Sequence, residues 1–174
     1  KFILAIDSTP HEQTGKKMEG VAWNYKNLWC LDSLNAFDQF GFSYGFDLRS
    51  GNTYSGNGAE LMIRDVFKRV PKGLAKYFRA DSAYANLGVY NELLNANVKF
   101  AICLKANSWG ALLDKYSQNM KWERTTLEFF NSNECELSSC LYPLEGLAGR
   151  AFLRVVFIRA PKDETLFGKE YEYY

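Results

Sequence analysis

Apolar residues fall in short runs along the first third of the chain, then switch to a three-to-four spacing near residue 60. Residues 2–7, Phe-Ile-Leu-Ala-Ile-Asp, form a run too short for a helix, which predicts a buried central strand. Ser8-Thr9-Pro10 should end it, because proline cannot donate to a strand ladder. After a polar, glycine-bearing stretch from Glu12 to Asn27, further strands are predicted at about 28–36 and 42–48. Arg49-Ser50-Gly51-Asn52 closes the second of these with a turn signal. Short loops between the three strands predict an antiparallel meander.

The period then becomes helical. Leu61, Met62, Ile63, Val66, Phe67 and Val70 mark one face of an amphipathic helix, which Pro71 and Gly73 close. Residues 77–81, Tyr-Phe-Arg-Ala-Asp, read as a strand. Asn86 is placed to cap a second helix whose inner face is Val89, Tyr90, Leu93 and Leu94. A fifth strand is expected at 98–104 and a short helix at 112–116. Beyond Gln118 the texture is β-rich, with strands at 122–130 and 152–158 and a polar stretch between them. The order βββαβαβ predicts an α/β domain, a five-stranded mixed sheet flanked by helices, over residues 1–117. Residues 118–174 are expected to be a partial β-rich insertion. Both ends read as cuts through a longer protein.

Composition excludes more than it selects. The chain has 174 residues, 47% hydrophobic and 24% charged, which suits a soluble globular domain. Its 13 Phe and 11 Tyr predict an aromatic core. A net charge of +1, from 21 basic and 20 acidic residues, means that any nucleic-acid surface must be sought in local patches. Four cysteines without a CxxC pair argue against a disulfide framework or zinc site. Cys30 and Cys103, inside strand-like runs, are expected to act as small hydrophobes. That cysteine usage makes reduced cytoplasm the expected location, while no run approaches the ~18 apolar residues of a membrane span and no signal peptide is visible. A Ser-His-Asp set, a Walker loop and GxGxxG are missing, which leaves nucleotide hydrolysis and dehydrogenase readings without support.

The chemistry gathers at strand ends. Asp7 and Asp81 each close an apolar strand, and each is followed by serine. Ligand sites in α/β sheets form at the carboxyl ends of strands. A carboxylate beside a low-dielectric core is costly unless it is paired or binds a metal. If the first and fourth strands are neighbours, Asp7 and Asp81 come within reach of shared hard cations such as Mg²⁺. Two ions ~3.5–4 Å apart would then flank one scissile phosphate. The plainer alternative is that each aspartate makes only an Asx turn or a helix cap, and the residues alone leave both readings open. Asp32, Asp38 and Asp47 close no apolar run and are expected at the surface.

These residues carry a family resemblance. Leu-Ala-Ile-Asp7-Ser-Thr, Gly-Lys-Lys-Met-Glu-Gly at 15–20, Leu-Arg-Ser-Gly-Asn at 48–52 and Phe-Arg-Ala-Asp81-Ser-Ala-Tyr-Ala follow one another over residues 1–105. In that order they resemble the catalytic domain of insertion-sequence DDE transposases, the subset with a β-strand insertion in an RNase H-like fold. The resemblance implies that Asp7 and Asp81 are the first two acidic residues, catalytic and binding two Mg²⁺ or Mn²⁺ ions. It also implies a third, a glutamate on a helix beyond the insertion. No such signature occurs in this chain, and Glu170 and Glu172 are not assigned to that role, so the chain by itself is expected to be inactive.

The implied chemistry is water attack at a transposon end, freeing a 3′-OH that then attacks target DNA. The implied partners are double-stranded DNA and a second copy assembled on it, and the implied location is the bacterial nucleoid, with no membrane contact. Residues 64–79 hold six basic residues against one acidic, a local net of +5. Arg64, Lys68, Arg69, Lys72 and Arg79 from this run, with Lys16, Lys17 and Arg49 on loops, are the candidate phosphate contacts. A solvated helix face explains any single lysine equally well. Trp23, Tyr25 and Trp29 suit base stacking or packing, and His11 a phosphate contact or plain surface. Two other classes fit the same residues: a non-catalytic DNA-binding domain of this fold, and a structure-selective metal-dependent nuclease. A downstream helical glutamate separates the enzyme from the binder, and joined DNA products separate a transposase from a nuclease.

Overall fold

The computed structural model describes residues 1–15, 17–116, 120–126, 134–149, 152–165 and 168–173. They fall into two compact units, Lys1–Lys105 and Ala106–Tyr174. Among the described residues no helix is long and apolar enough to cross a membrane.

The first unit is built on a six-stranded mixed sheet. Strand β1 (Phe2–Glu12) lies at its centre, antiparallel to β3 (Trp29–Asp38) and parallel to β5 (Lys76–Ala80). Strand β6 (Lys99–Ile102) runs parallel outside β5. The outer edge of β3 carries β4 (Ser43–Ser50) and, at its start, the two-residue β2 (Ala22–Trp23). Antiparallel pairing of β4, β3 and β1, then parallel β5 and β6, is the mixed α/β arrangement expected of an RNase H-like fold, with β2 as an addition.

Helix α1 (Ala59–Arg69) and helix α2 (Leu87–Asn95) supply one side of the core. Their Ile63, Val66, Phe67, Val89 and Leu93 join Phe2, Leu4, Ile6, Leu34, Ala36 and Phe78 of the sheet in one cluster. Each large side chain buried there contributes ~1.5–3 kcal/mol. Asn86 caps α2 as expected, its Oδ1 accepting from the Val89 N–H at 3.0 Å. Glu60 near the start of α1, and Lys68 and Arg69 near its end, suit the helix dipole. Arg64 grips Glu92 of α2 through Nε at 3.0 Å and a second nitrogen, which holds the Glu92 carboxyl below its usual range.

Strand β1 runs beyond its predicted end, straight through Pro10. The Phe2 N–H donates toward β5's side (Ala75 O, 2.8 Å) and the Gln13 N–H toward β3 (Trp29 O, 2.9 Å). With strict alternation, even-numbered nitrogens of β1 point away from β3. Pairing with β5 covers only Phe2–Ala5, so among the described residues no ladder bond falls to the missing Pro10 N–H.

The second unit has helix α3 (Ala106–Tyr116) and a four-stranded antiparallel sheet in the order β10-β9-β8-β7. The strands are β7 (Glu123–Thr126), β8 (Glu134–Pro143), β9 (Phe152–Thr165) and β10 (Gly168–Tyr173). The polar stretch between the two expected strands therefore contains a strand. Pairing on both sides satisfies the β8 backbone whatever its side chains are. Positions 127–130 of the expected 122–130 strand lie outside the described residues. In this unit Arg159 is held between the Trp122 and Tyr171 rings, 4.0 Å from each centroid, and donates to Glu136 at 2.7 Å.

Candidate active site

The β1–β5 register pairs Ala5 with Arg79, two residues before each aspartate. Asp7 and Asp81 thus occupy matching places on adjacent parallel strands, at the carboxyl end of β5. Together with Ala5, Ile6, Phe37, Arg79 and Ala80 they line an open hollow of about 300 Å³. Both residues are exposed, and neither is in an ion pair among the described residues.

Their local bonds are short-range. Asp7 Oδ1 accepts from the Ser8 N–H at 2.8 Å. Asp81 Oδ1 accepts from the Ala83 N–H at 2.9 Å, capping the single 3₁₀ turn Ser82–Tyr84. The capping alternative raised by the sequence is therefore realised at Asp81, and one oxygen of its carboxylate remains uncommitted. Two unpaired, solvent-open carboxylates on one hollow are hard oxygen donors of the kind that suit a divalent cation. Among the described residues no third His, Cys, Asp or Glu joins them in a cluster.

Behind the carboxylates lies Tyr84, fully buried, whose hydroxyl makes no hydrogen bond of good geometry among the described residues, Ser8 being near it without completing one. Burial, then the charge of Asp7, pushes its phenol well above the ordinary range. The charge of Asp81 adds to this, and Ser8 and Arg49 oppose it. Sequence reading passed over Tyr84 because a tyrosine three residues after an aspartate carries no local sign of burial. Lys105, on the segment that follows β6, was also missed. Its Nζ lies 5.4 Å from the centre of the Tyr54 ring, whose hydroxyl donates to Ala83 O.

Two aspartates expected at the surface are buried. Asp32 is 7% exposed because Arg49, 17 residues later, folds over it from β4. Asp38 is 6% exposed because its Oδ1 accepts from the Phe40 and Phe42 N–H groups, at 2.9 and 3.0 Å, and so ties the β3–β4 hairpin. Asp47 is exposed, as expected. Cys103 also departs from expectation, lying exposed just past β6, whereas Cys30 is buried.

The candidate phosphate contacts do not gather on one surface. Arg79 lines the hollow with the aspartates. Lys17 is exposed on the loop before β2, and Lys16 lies outside the described residues. Arg49 is committed to Asp32 and to two loop carbonyls. Arg64 is bound to Glu92, and Lys68 approaches Asp65 at 3.7 Å. Arg69 donates to Asp65 O at 3.1 Å and Tyr44 O at 2.9 Å. Lys72 is exposed before the start of β5, the opposite end from Asp81. His11 Nε2 lies 2.8 Å from Ser33 Oγ. Trp29 donates to Gly15 O and packs on Trp23, which with Tyr25 stays exposed.

A search of curated proteins returned no match. The family model described as Transposase DDE domain group 1 matches residues 1–140, a span that holds Asp7, Asp81 and the whole mixed sheet. The chain belongs to the family of transposase DDE domains.

Proposed function

We propose that this chain carries two of the three acidic residues of an active site that cuts DNA at transposon ends and joins the freed end to target DNA. The observation that carries this reading is the placement of Asp7 on β1 and of Asp81 just past the neighbouring parallel β5, open to one hollow and, among the described residues, without an ion-pair partner. Membership in a transposase family supports DNA as the substrate, and members of that family generally use divalent metals.

In this reading Asp7 and Asp81 hold the metal, Mg²⁺ or Mn²⁺ by the hardness of their oxygens. Divalent ions held there would neutralise charge at the scissile phosphate and activate the attacking oxygen. The protein's own contribution is positional. Asp81 keeps one oxygen on the Ala83 N–H, which leaves the other for a metal. Ala5, Ile6 and Phe37 form a low-dielectric floor that strengthens each interaction above it. Arg79 lines the same hollow and is the cation offered to the reacting phosphate, and Lys17 and Lys72 are exposed for more distant ones.

Water attack breaks the P–O3′ bond and leaves a 5′-phosphate and a 3′-OH. That hydroxyl attacks a target phosphodiester and releases the target's own 3′-OH, so no covalent protein intermediate is needed. A third carboxylate on a helix beyond the insertion completes the site, two copies assemble on the double-stranded DNA, and the protein works at the bacterial nucleoid.

The test uses the transposase that contains this domain together with its third acidic residue. Asp7→Asn and Asp81→Asn should each lower strand transfer of a labelled transposon end roughly 10³-fold or more, because each removes several kcal/mol of transition-state stabilisation. Circular dichroism should stay unchanged. Strand transfer that survives either substitution rejects the assignment. Cut but unjoined products would identify a nuclease instead, and retained DNA binding without cutting in the unmodified protein would identify a binding domain.

A further inference from the structure

A buried cation lies between the sheet and the turn that carries Asp81. Arg49 on β4 stands opposite Asp32 on β3. Its Nε donates to Asp32 Oδ2 at 3.0 Å, and a second nitrogen completes the ion pair. The third nitrogen donates to Asn57 O at 2.6 Å and Ser55 O at 3.3 Å. The Arg49 and Asp32 side chains are only 7% and 9% exposed. A pair so buried is expensive to break, because the survivor stays charged and desolvated.

The two carbonyls belong to the loop between β4 and α1, and that loop presses on the Asp81 turn. The Tyr54 hydroxyl donates to Ala83 O at 3.1 Å. Gly56 is so close that a Cβ there would lie 2.5 Å from the same oxygen. Ala83 in turn supplies the N–H that holds Asp81 Oδ1. Asp81 itself sits just past β5, where no ladder bond orients its side chain. A contact path therefore runs from Asp32 through Arg49, the Ser55 and Asn57 carbonyls, and Tyr54 and Gly56 to Ala83 and Asp81.

We propose that Arg49 is a positioning residue for Asp81, bracing the metal-holding carboxylate through the 50–58 loop rather than contacting DNA. The proposal rests on the metal-binding reading of Asp7 and Asp81. Carboxylates that share a metal must be held to within ~0.5 Å, and groups that orient the ligands share that task. An arginine is needed because its planar fork bonds one carboxylate and two carbonyls at once. A lysine keeps the charge for Asp32 but is a point charge without the fork.

The experiment is a Mn²⁺ titration of this chain, ¹⁵N-labelled, following paramagnetic broadening of the Ser8, Ser82 and Ala83 amides by NMR. Exchange of the Ala83 amide hydrogen is followed without metal. In the unmodified chain, amides beside both aspartates should broaden together. Arg49→Lys should raise the Mn²⁺ concentration for half-broadening roughly 10-fold or more, weaken the response at Ser82 relative to Ser8, and speed Ala83 exchange. Tyr54→Phe removes only one hydroxyl of the brace. It should move the same readouts in the same direction by a smaller factor, and it decides the matter if Arg49→Lys fails to fold. Unchanged Mn²⁺ response and Ala83 exchange in the folded variants overturn the brace and leave the metal site standing. No broadening at Ser8 and Ser82 in the unmodified chain overturns the metal reading and the brace with it.

Discussion

Tyr84 is the residue whose chemistry departs furthest from what folding alone would select. A buried hydroxyl without a partner costs ~1–3 kcal/mol, and a phenylalanine of the same shape avoids that cost. Tyr84→Phe should therefore raise stability by about 1 kcal/mol, read as a higher urea midpoint at unchanged slope. A pH effect follows from the same burial. The phenol is pushed above its ordinary value near 10, so the unfolded chain ionises first. Its contribution is intact below pH 10 and is lost as pH rises beyond that value. Midpoints at pH 9 and 11 should fall further apart in the unmodified chain than in Tyr84→Phe, and equal differences would contradict the assignment. At this scale Asp7 and Asp81 were legible because each ends a run of apolar neighbours. Asp32 and Asp38 were not, because what buries Asp32 is an arginine on another strand and what buries Asp38 is a hairpin that closes after it.

Elements were legible where the period was strong. Helices α1 and α2 and strands β3 to β5 follow the spacing of their apolar residues, whereas β8 is polar along much of its length and is held by its neighbours' backbones. The loop after β4 shows what spacing cannot convey. Gly51 donates its N–H to Gly20 O at 3.1 Å, so the 15–20 and 48–52 segments quoted for their resemblance meet in space. A Cβ on Gly51 would lie 1.9 Å from Cys30 O and 2.6 Å from Ala22 O, both backbone atoms. Gly51→Ala must displace β2 or β3, at a cost of about 1–3 kcal/mol or more. Thermal unfolding monitored by circular dichroism checks this, and an unchanged Tm would show that the approach is looser than described.

The two compact units each have their own sheet, and among the described residues the main core cluster draws on positions up to Ile102. Residues 1–105 alone should thus unfold in one cooperative thermal transition, whereas a broad, non-cooperative melt would mean that the core needs more chain than it contains. The mixed sheet was legible from the order of its strands, while the pairing that sets Asp7 beside Asp81 was not, since strand order in a sheet is a long-range property. One detail of that sheet reaches beyond the site. Past Ala5 the side of β1 that faces away from β3 pairs with no strand among the described residues, and an unpaired strand edge is a template for a foreign strand. Pro10 interrupts the row of donors there and guards against self-association. A strand whose donor row is broken by an imino acid is a poor template for a foreign edge, so the same Pro10 that β1 tolerates without losing a bond to β3 also limits strand-to-strand association along its far flank.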